Sequence, residues 1–131
     1  MAGIHPNVAT YLRAIDAFNR DDLAAVAEDV RPDVVYRIPG HSAVAGEFRG
    51  IDGFAEALRR LQDLSGGTLA VEPTVVLADG ANLVARARLT ARRGERRLDT
   101  ENCYAFRFTD GKLADGQVFL SDPDQVEAFW A

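Results

Sequence analysis

The chain has a single cysteine, Cys103, which excludes an internal disulfide and any zinc site built on several thiolates. Lying mid-strand, that thiol reads as an inert packed side chain. Basic charge is also short. Fifteen Lys and Arg face twenty Asp and Glu, for a net charge of −5, and no Lys/Arg cluster flanks aromatic residues, so a nucleic-acid partner is not expected. No apolar run approaches the ~20 residues that span a bilayer. Met1 to Asn7 shows neither a charged n-region nor an apolar h-region, so the expected location is the cytoplasm, with no membrane partner. Histidine is limited to His5 and His41; with no His-x-x-x-His pair or clustered carboxylates, no metal set is proposed. Glycine-rich nucleotide loops and a Gly-x-Ser-x-Gly elbow are missing too.

What is present suits one folded domain: 131 residues, of which 47% are hydrophobic, can bury a core without covalent staples. From Asn7 to Asn19 the residues Val8, Tyr11, Leu12, Ile15 and Phe18 recur at helical spacing, with Asn7 as the expected cap. A second short helical face runs through Leu23, Val26, Ala27 and Val30, and Pro32 is expected to end it. Val34 to Ile38 reads as a strand stopped by Pro39-Gly40, followed by a glycine-bearing loop to Gly50 suited to the rim of a pocket. Phe54, Leu58, Leu61 and Leu64 mark a third helix, beginning near Asp52 and ending at Gly66-Gly67. Four strands follow, Leu69 to Leu77, Leu83 to Arg92, Arg97 to Thr109 and Lys112 to Leu120, with hairpin signals at Asp79-Gly80, Gly94-Glu95 and Asp110-Gly111. A last helical stretch spans Asp124 to Trp130. Helices followed by an antiparallel meander form an α+β plan.

The segments Tyr36-Arg37-Ile38-Pro39-Gly40 and Val44-Ala45-Gly46-Glu47-Phe48-Arg49-Gly50 resemble a pattern common in SnoaL-like proteins of the nuclear transport factor 2-like superfamily. Phe18-Asn19-Arg20-Asp21-Asp22-Leu23, Phe106-Arg107-Phe108-Thr109-Asp110-Gly111-Lys112-Leu113 and Phe129-Trp130 fit in the same order. The resemblance implies a cone-shaped, cystatin-like α+β roll, a curved antiparallel sheet covered by three helices of the N-terminal half, often dimeric through the outer face of the sheet. Its relatives include polyketide cyclases, ketosteroid isomerases, epoxide hydrolases and proteins with no known reaction, so the fold alone does not choose a function.

Counting from Asp110-Gly111 as a two-residue turn pairs Thr109 with Lys112, Phe106 with Asp115, Tyr104 with Gln117 and Asn102 with Phe119, all on the aromatic and therefore inner face. The other face would carry Asp99, Glu101, Cys103 and Arg107. Gly94-Glu95 as a second two-residue turn sets Arg88 opposite Glu101, Arg86 opposite Cys103, Ala85 opposite Tyr104 and Ala87 opposite Asn102. Arg86, Arg88, Arg107, Asp99 and Glu101 then form a charged ladder outside, or, in the sharper reading, a catalytic Arg-carboxylate pair.

Three residues are candidates for catalysis. Tyr104 can donate to a developing oxyanion, or it is a core tyrosine satisfied by Gln117. Asp115 can serve as a general base, or it sits at a solvated rim or bulge. His41 can titrate at the pocket mouth, or it is a solvated loop residue. Candidate ligand contacts are Tyr36, Ile38, Asn102, Gln117, Phe119, Phe18 and Trp130. In the alignment that the resemblance implies, Ile38 stands where ketosteroid isomerases place their base. The strand Arg86-Ala87-Arg88-Leu89-Thr90 lacks the acid that epoxide hydrolases use. The leading expectation is a cofactor-independent cyclase or isomerase acting on a small apolar metabolite by acid-base chemistry; the alternative is a non-catalytic ligand-binding or dimeric module.

Overall fold

The computed structural model describes residues 4–131; the part of the N-terminal reading that concerns Met1–Gly3 lies outside the described residues. The elements run α1 (Pro6–Asn19), α2 (Leu23–Ala27), β1 (Val30–Ile38), β2 (Gly46–Arg49), α3 (Gly50–Leu64), β3 (Ala70–Asp79), β4 (Asn82–Arg93), β5 (Arg96–Thr109), β6 (Lys112–Leu120) and α4 (Pro123–Trp130). The fold is α+β. Six strands form one sheet in the order β2-β1-β6-β5-β4-β3. The pairings are antiparallel except β1 with β6, which is parallel because the helical region and the meander lie between them in the chain. None of the described helices is long and apolar enough to cross a membrane.

Helix α1 starts at Pro6, whose missing N–H costs nothing in the first turn. Its cap is His5, whose Nδ1 accepts from the Asn7 amide at 3.1 Å; Asn7, the expected cap, lies inside the helix and donates its side chain to the Gly80 carbonyl at 3.2 Å. At the other end, Asn19 binds Val71 of β3 twice, donating Nδ2 to its carbonyl at 2.8 Å and accepting its N–H at 2.9 Å. That clamp occupies backbone groups on an edge strand that would otherwise be open to pairing. Pro32 does not end α2, which stops at Ala27, but sits inside β1. There the pairing with β6 is interrupted between Val30 and Val35, where a proline costs no ladder bond. The loop expected from Pro39 to Gly50 contains the short strand β2, which pairs Phe48 with Tyr36 and carries the chain into α3.

The β4–β5 hairpin follows the expected register: Ala85 faces Tyr104, Ala87 faces Asn102, Arg86 faces Cys103 and Arg88 faces Glu101. The β5–β6 hairpin begins as expected with Thr109 opposite Lys112, then slips. Phe108 pairs with Leu113 but Arg107 pairs with Asp115, so Ala114 is the extra residue of a β-bulge. Beyond it every side chain of β6 changes face. Tyr104 lies opposite Val118 rather than Gln117, Asn102 opposite Leu120 rather than Phe119, and Phe106 opposite Gly116 rather than Asp115. The core lies on the concave side, where α1 and α3 pack on the sheet around Val34, Ala57, Leu83 and Ala87, all essentially inaccessible.

Candidate functional site

The concave side holds a cavity of about 110 Å³ walled by α1, α3 and the sheet, and a second of about 50 Å³ under α4. Tyr36, Leu61, Leu89 and Tyr104 belong to both walls, so the two spaces are a front and a rear chamber with those side chains between them. The front chamber is almost wholly apolar and aromatic, including Phe18, Phe54, Phe106 and Phe108.

All three tyrosines of the chain meet there. Tyr11 comes from the buried face of α1, Tyr36 from β1 and Tyr104 from β5, and each is buried. Phe106 touches two of them, with ring centroids 5.5 Å from Tyr11 and 5.8 Å from Tyr104, while Phe54 meets Tyr36 edge-on at 5.3 Å. Gly116 makes this possible. A β-carbon there would stand 2.6 Å from the Tyr36 ring and 3.0 Å from Phe106. Burial raises the pKa of each phenol above its ordinary value; Tyr36 is pushed further by Tyr11, and Tyr104 by Tyr36 and Tyr11, with the Asn102 side chain pulling Tyr104 back in part. At neutral pH the three therefore stand as neutral donors. The Tyr11 hydroxyl has no hydrogen-bond partner among the described residues.

The rear chamber is bounded by Ile38, Asn102, Val118, Val126 and Trp130. Helix α4 closes it. Its Asp122 cap accepts from Gln125 N–H at 3.1 Å, its end is held by Arg93 donating to the Phe129 carbonyl at 2.8 Å, and Glu127 accepts the His41 backbone N–H at 2.8 Å. Asn102 is buried, yet its Oδ1 also lacks a partner.

The expected site residues therefore separate. Tyr104, Tyr36, Asn102, Ile38, Phe18 and Trp130 all face the chambers. Asp115, Gln117 and Phe119 do not: the bulge at Ala114 turns them to the convex face. There Asp115 pairs with Arg37 at 3.2 Å, and Phe119 is 53% exposed. Gln117 does not satisfy Tyr104 and donates instead to the Val118 carbonyl at 3.1 Å. His41 is exposed on the loop after β1, engaged through its backbone rather than its ring. Cys103, expected to be packed, is exposed. The outer ladder forms as expected but diagonally, Arg88 with Asp99 at 2.7 Å and Arg86 with Glu101 at 3.3 Å.

Two wall residues were not singled out by the sequence. Tyr11 appeared only as part of a helical apolar stripe, and its hydroxyl among so many apolar neighbours was the available signal. Asp29 lies in the front wall between α2 and β1, with its carboxylate 3.5 Å from Arg13 and its side chain 27% exposed. It is the carboxylate in the wall of that chamber, and nothing in its local sequence distinguishes it from the other acids nearby.

A sequence profile of the SnoaL-like domain family matches residues 11–116. The chain belongs to the SnoaL-like family. An uncharacterised protein of Mycobacterium tuberculosis is 33% identical over 91% of this chain and 92% of its own length. Among solved structures, Bal32a from a soil-derived mobile gene cassette is 30% identical, with a TM-score of 0.92 over 96% of this chain and 97% of its own. A Xanthomonas campestris protein of unknown function with a cystatin-like fold shares the architecture at 24% identity, with a TM-score of 0.87 over 95% and 98% of the two chains. The SnoaL-like fold is a small-molecule-binding fold, and in this chain the described residues form a tyrosine-lined chamber on the concave side of the sheet.

Proposed function

We propose that this protein binds a small, largely apolar molecule in the front chamber and grips it by an acceptor oxygen, to which the buried tyrosine hydroxyls donate. The observation that carries this reading is the convergence of Tyr11, Tyr36 and Tyr104 on one apolar cavity, with the Tyr11 hydroxyl unpaired. A phenol held in an apolar wall stabilises a carbonyl or enolate oxygen more strongly than water does, because no solvent competes and the donor is already oriented. Tyr11→Phe keeps the ring and removes the donor. It is expected to weaken binding of a cyclic ketone such as cyclohex-2-enone about tenfold in a calorimetric or NMR titration. Unchanged affinity would refute the role given to the hydroxyl.

A catalytic form of the same reading is favoured by Asp29. With Asp115 on the convex face, Asp29 is the wall carboxylate able to take a proton from carbon beside a carbonyl while a tyrosine donates to the enolate oxygen. Asp29→Asn is expected to leave ketone binding intact and to abolish protein-dependent exchange of the α C–H for deuterium. Exchange at the wild-type rate in the variant would reduce the protein to a binding module.

We also infer a homodimer through the convex face. Phe119 and Val84 stand more than half exposed there beside oppositely charged pairs, a mixture that suits self-complementary association about a two-fold axis. Phe119→Asp should shift the sedimentation coefficient to that of a monomer; a wild-type protein already monomeric at micromolar concentration would remove the claim.

A further inference from the structure

The chemical class of the ligand can be narrowed, on the reading that the cone binds an oxygenated apolar molecule. Two buried polar atoms face the chambers without partners among the described residues, Tyr11 Oη in the front and Asn102 Oδ1 in the rear. They ask for opposite things. A phenol has a proton to give, whereas an amide carbonyl can only accept. Asn102 only partly offsets the rise that burial imposes on the Tyr104 phenol, and its carbonyl Oδ1 is the buried side-chain atom left without a partner among the described residues. Gln62 Oε1 is a third buried orphan, but Gln62 lines neither chamber, and its amide is used on the Phe18 carbonyl at 3.0 Å.

Size supplies the other constraint. The front chamber, about 110 Å³, is smaller than the engineered apolar cavity of ~150 Å³ that holds benzene, and the rear adds about 50 Å³. Taken together the two chambers come close to that benzene-holding volume, which suits one six-membered ring. A fused polycycle would have to displace Phe54 or Phe106 from a close-packed wall, which core side chains resist. The side chains common to both chambers, Tyr36, Leu61, Leu89 and Tyr104, are apolar or aromatic, the kind of surface against which a single ring packs.

We propose that the ligand is a single-ring molecule with an acceptor oxygen at one end, held by Tyr11, and a donor hydroxyl at the other, held by Asn102, the pattern of a para-hydroxylated aryl aldehyde or ketone. Each polar end completes one orphan, and the ring replaces apolar contacts that the empty volume forfeits. A molecule lacking the hydroxyl leaves the Asn102 carbonyl unpaired in the complex, so discrimination is expected at that end.

The test titrates 4-hydroxybenzaldehyde, benzaldehyde, 4-methoxybenzaldehyde and a four-ring steroid enone into the wild-type protein, Asn102→Leu and Tyr11→Phe. The expected result is that 4-hydroxybenzaldehyde binds the wild type about tenfold more tightly than the two analogues, that the gap disappears in Asn102→Leu, and that the thermal midpoint of that variant does not fall, because an orphan acceptor has given way to an apolar group of similar size. Asn102→Ala read in the same way replaces it should the leucine variant fail to fold. A gap that persists without the amide overturns the proposal. So does tight, Tyr11-dependent binding of the steroid enone, which would leave the wider reading of the cone standing. If no probe binds and Tyr11→Phe changes nothing, both fall together.

Discussion

Neighbouring residues on β4 and β5 live in opposite physical worlds. On the convex side, Arg86, Arg88, Asp99 and Glu101 form charge pairs in solvent, where the attraction is screened and each long side chain gives up conformational freedom to hold its partner. On the concave side, Ala85, Ala87, Asn102 and Tyr104 are buried, and there an unpaired oxygen is a standing cost. The pairs outside are numerous and weak; the orphans inside are few and expensive. The concave side is therefore where tolerated cost points to a function, and the convex side is where charges stay solvated and where the proposed dimer would place a second copy.

The sharpest way to break that contrast is to mutate neighbours. Leu83 is 1% exposed and Val84 is 51% exposed on the same strand. Leu83→Ala should cost ~3 kcal/mol in urea unfolding, through lost burial and the cavity left behind, whereas Val84→Ala should stay within ~0.5 kcal/mol. Equal costs would mean that the two faces are not distinguished as described. Next in size is Gly116→Ala. The added methyl runs into the Tyr36 ring, which should destabilise by ~1–3 kcal/mol and also close the front chamber, so that probe binding falls further than stability does.

A pH titration sharpens the contrast with one experiment. The three phenols have folded pKa values raised above the unfolded value by burial. Their contribution is fully present below the unfolded pKa of about 10 and is lost as pH rises toward the folded values, each tyrosine adding up to ~1.4 kcal/mol per pH unit to the slope in that window. Tyr11→Phe should flatten it. The smallest effect belongs to the outer pair. Asp99 is held below its usual range by Arg88, so its contribution exists above the unfolded pKa and fades as pH falls through the lower folded one. Because the pair is solvent-exposed, Asp99→Asn is expected to leave the thermal midpoint at pH 7 nearly unchanged and to be felt less still in high salt.

The same comparison explains what could be read from the residues alone. The β4–β5 register followed from Gly94-Glu95 because both strands alternate cleanly, alanines, Leu89 and Tyr104 on one side and charges on the other. The β6 register did not follow, because a bulge is a backbone event that turn chemistry at Asp110-Gly111 does not announce. One signal was present: Asp115 and Gln117 fall on one face while Gly116, Val118 and Leu120 fall on the other, the ordinary polar-out alternation. Phe119 pulled the reading the wrong way, as an aromatic residue that is in fact exposed. Tyr36, Asn102 and Tyr104 were legible as inward residues from alternation within their own strands. Their meeting with Tyr11 was not, since it depends on how α1 lies across the sheet, which the helical periodicity of α1 leaves undetermined.

The most direct test of the tyrosine-lined cone uses the fact that the chain has three tyrosines. With 13C at the tyrosine Cζ positions, the protein should give three resolvable signals, and titration with cyclohex-2-enone should move all three together along one saturating curve, with Tyr11 moving most as its hydroxyl gains a partner. Signals that stay still, or a single shift that fails to saturate, would contradict a common chamber and with it the function proposed for this fold.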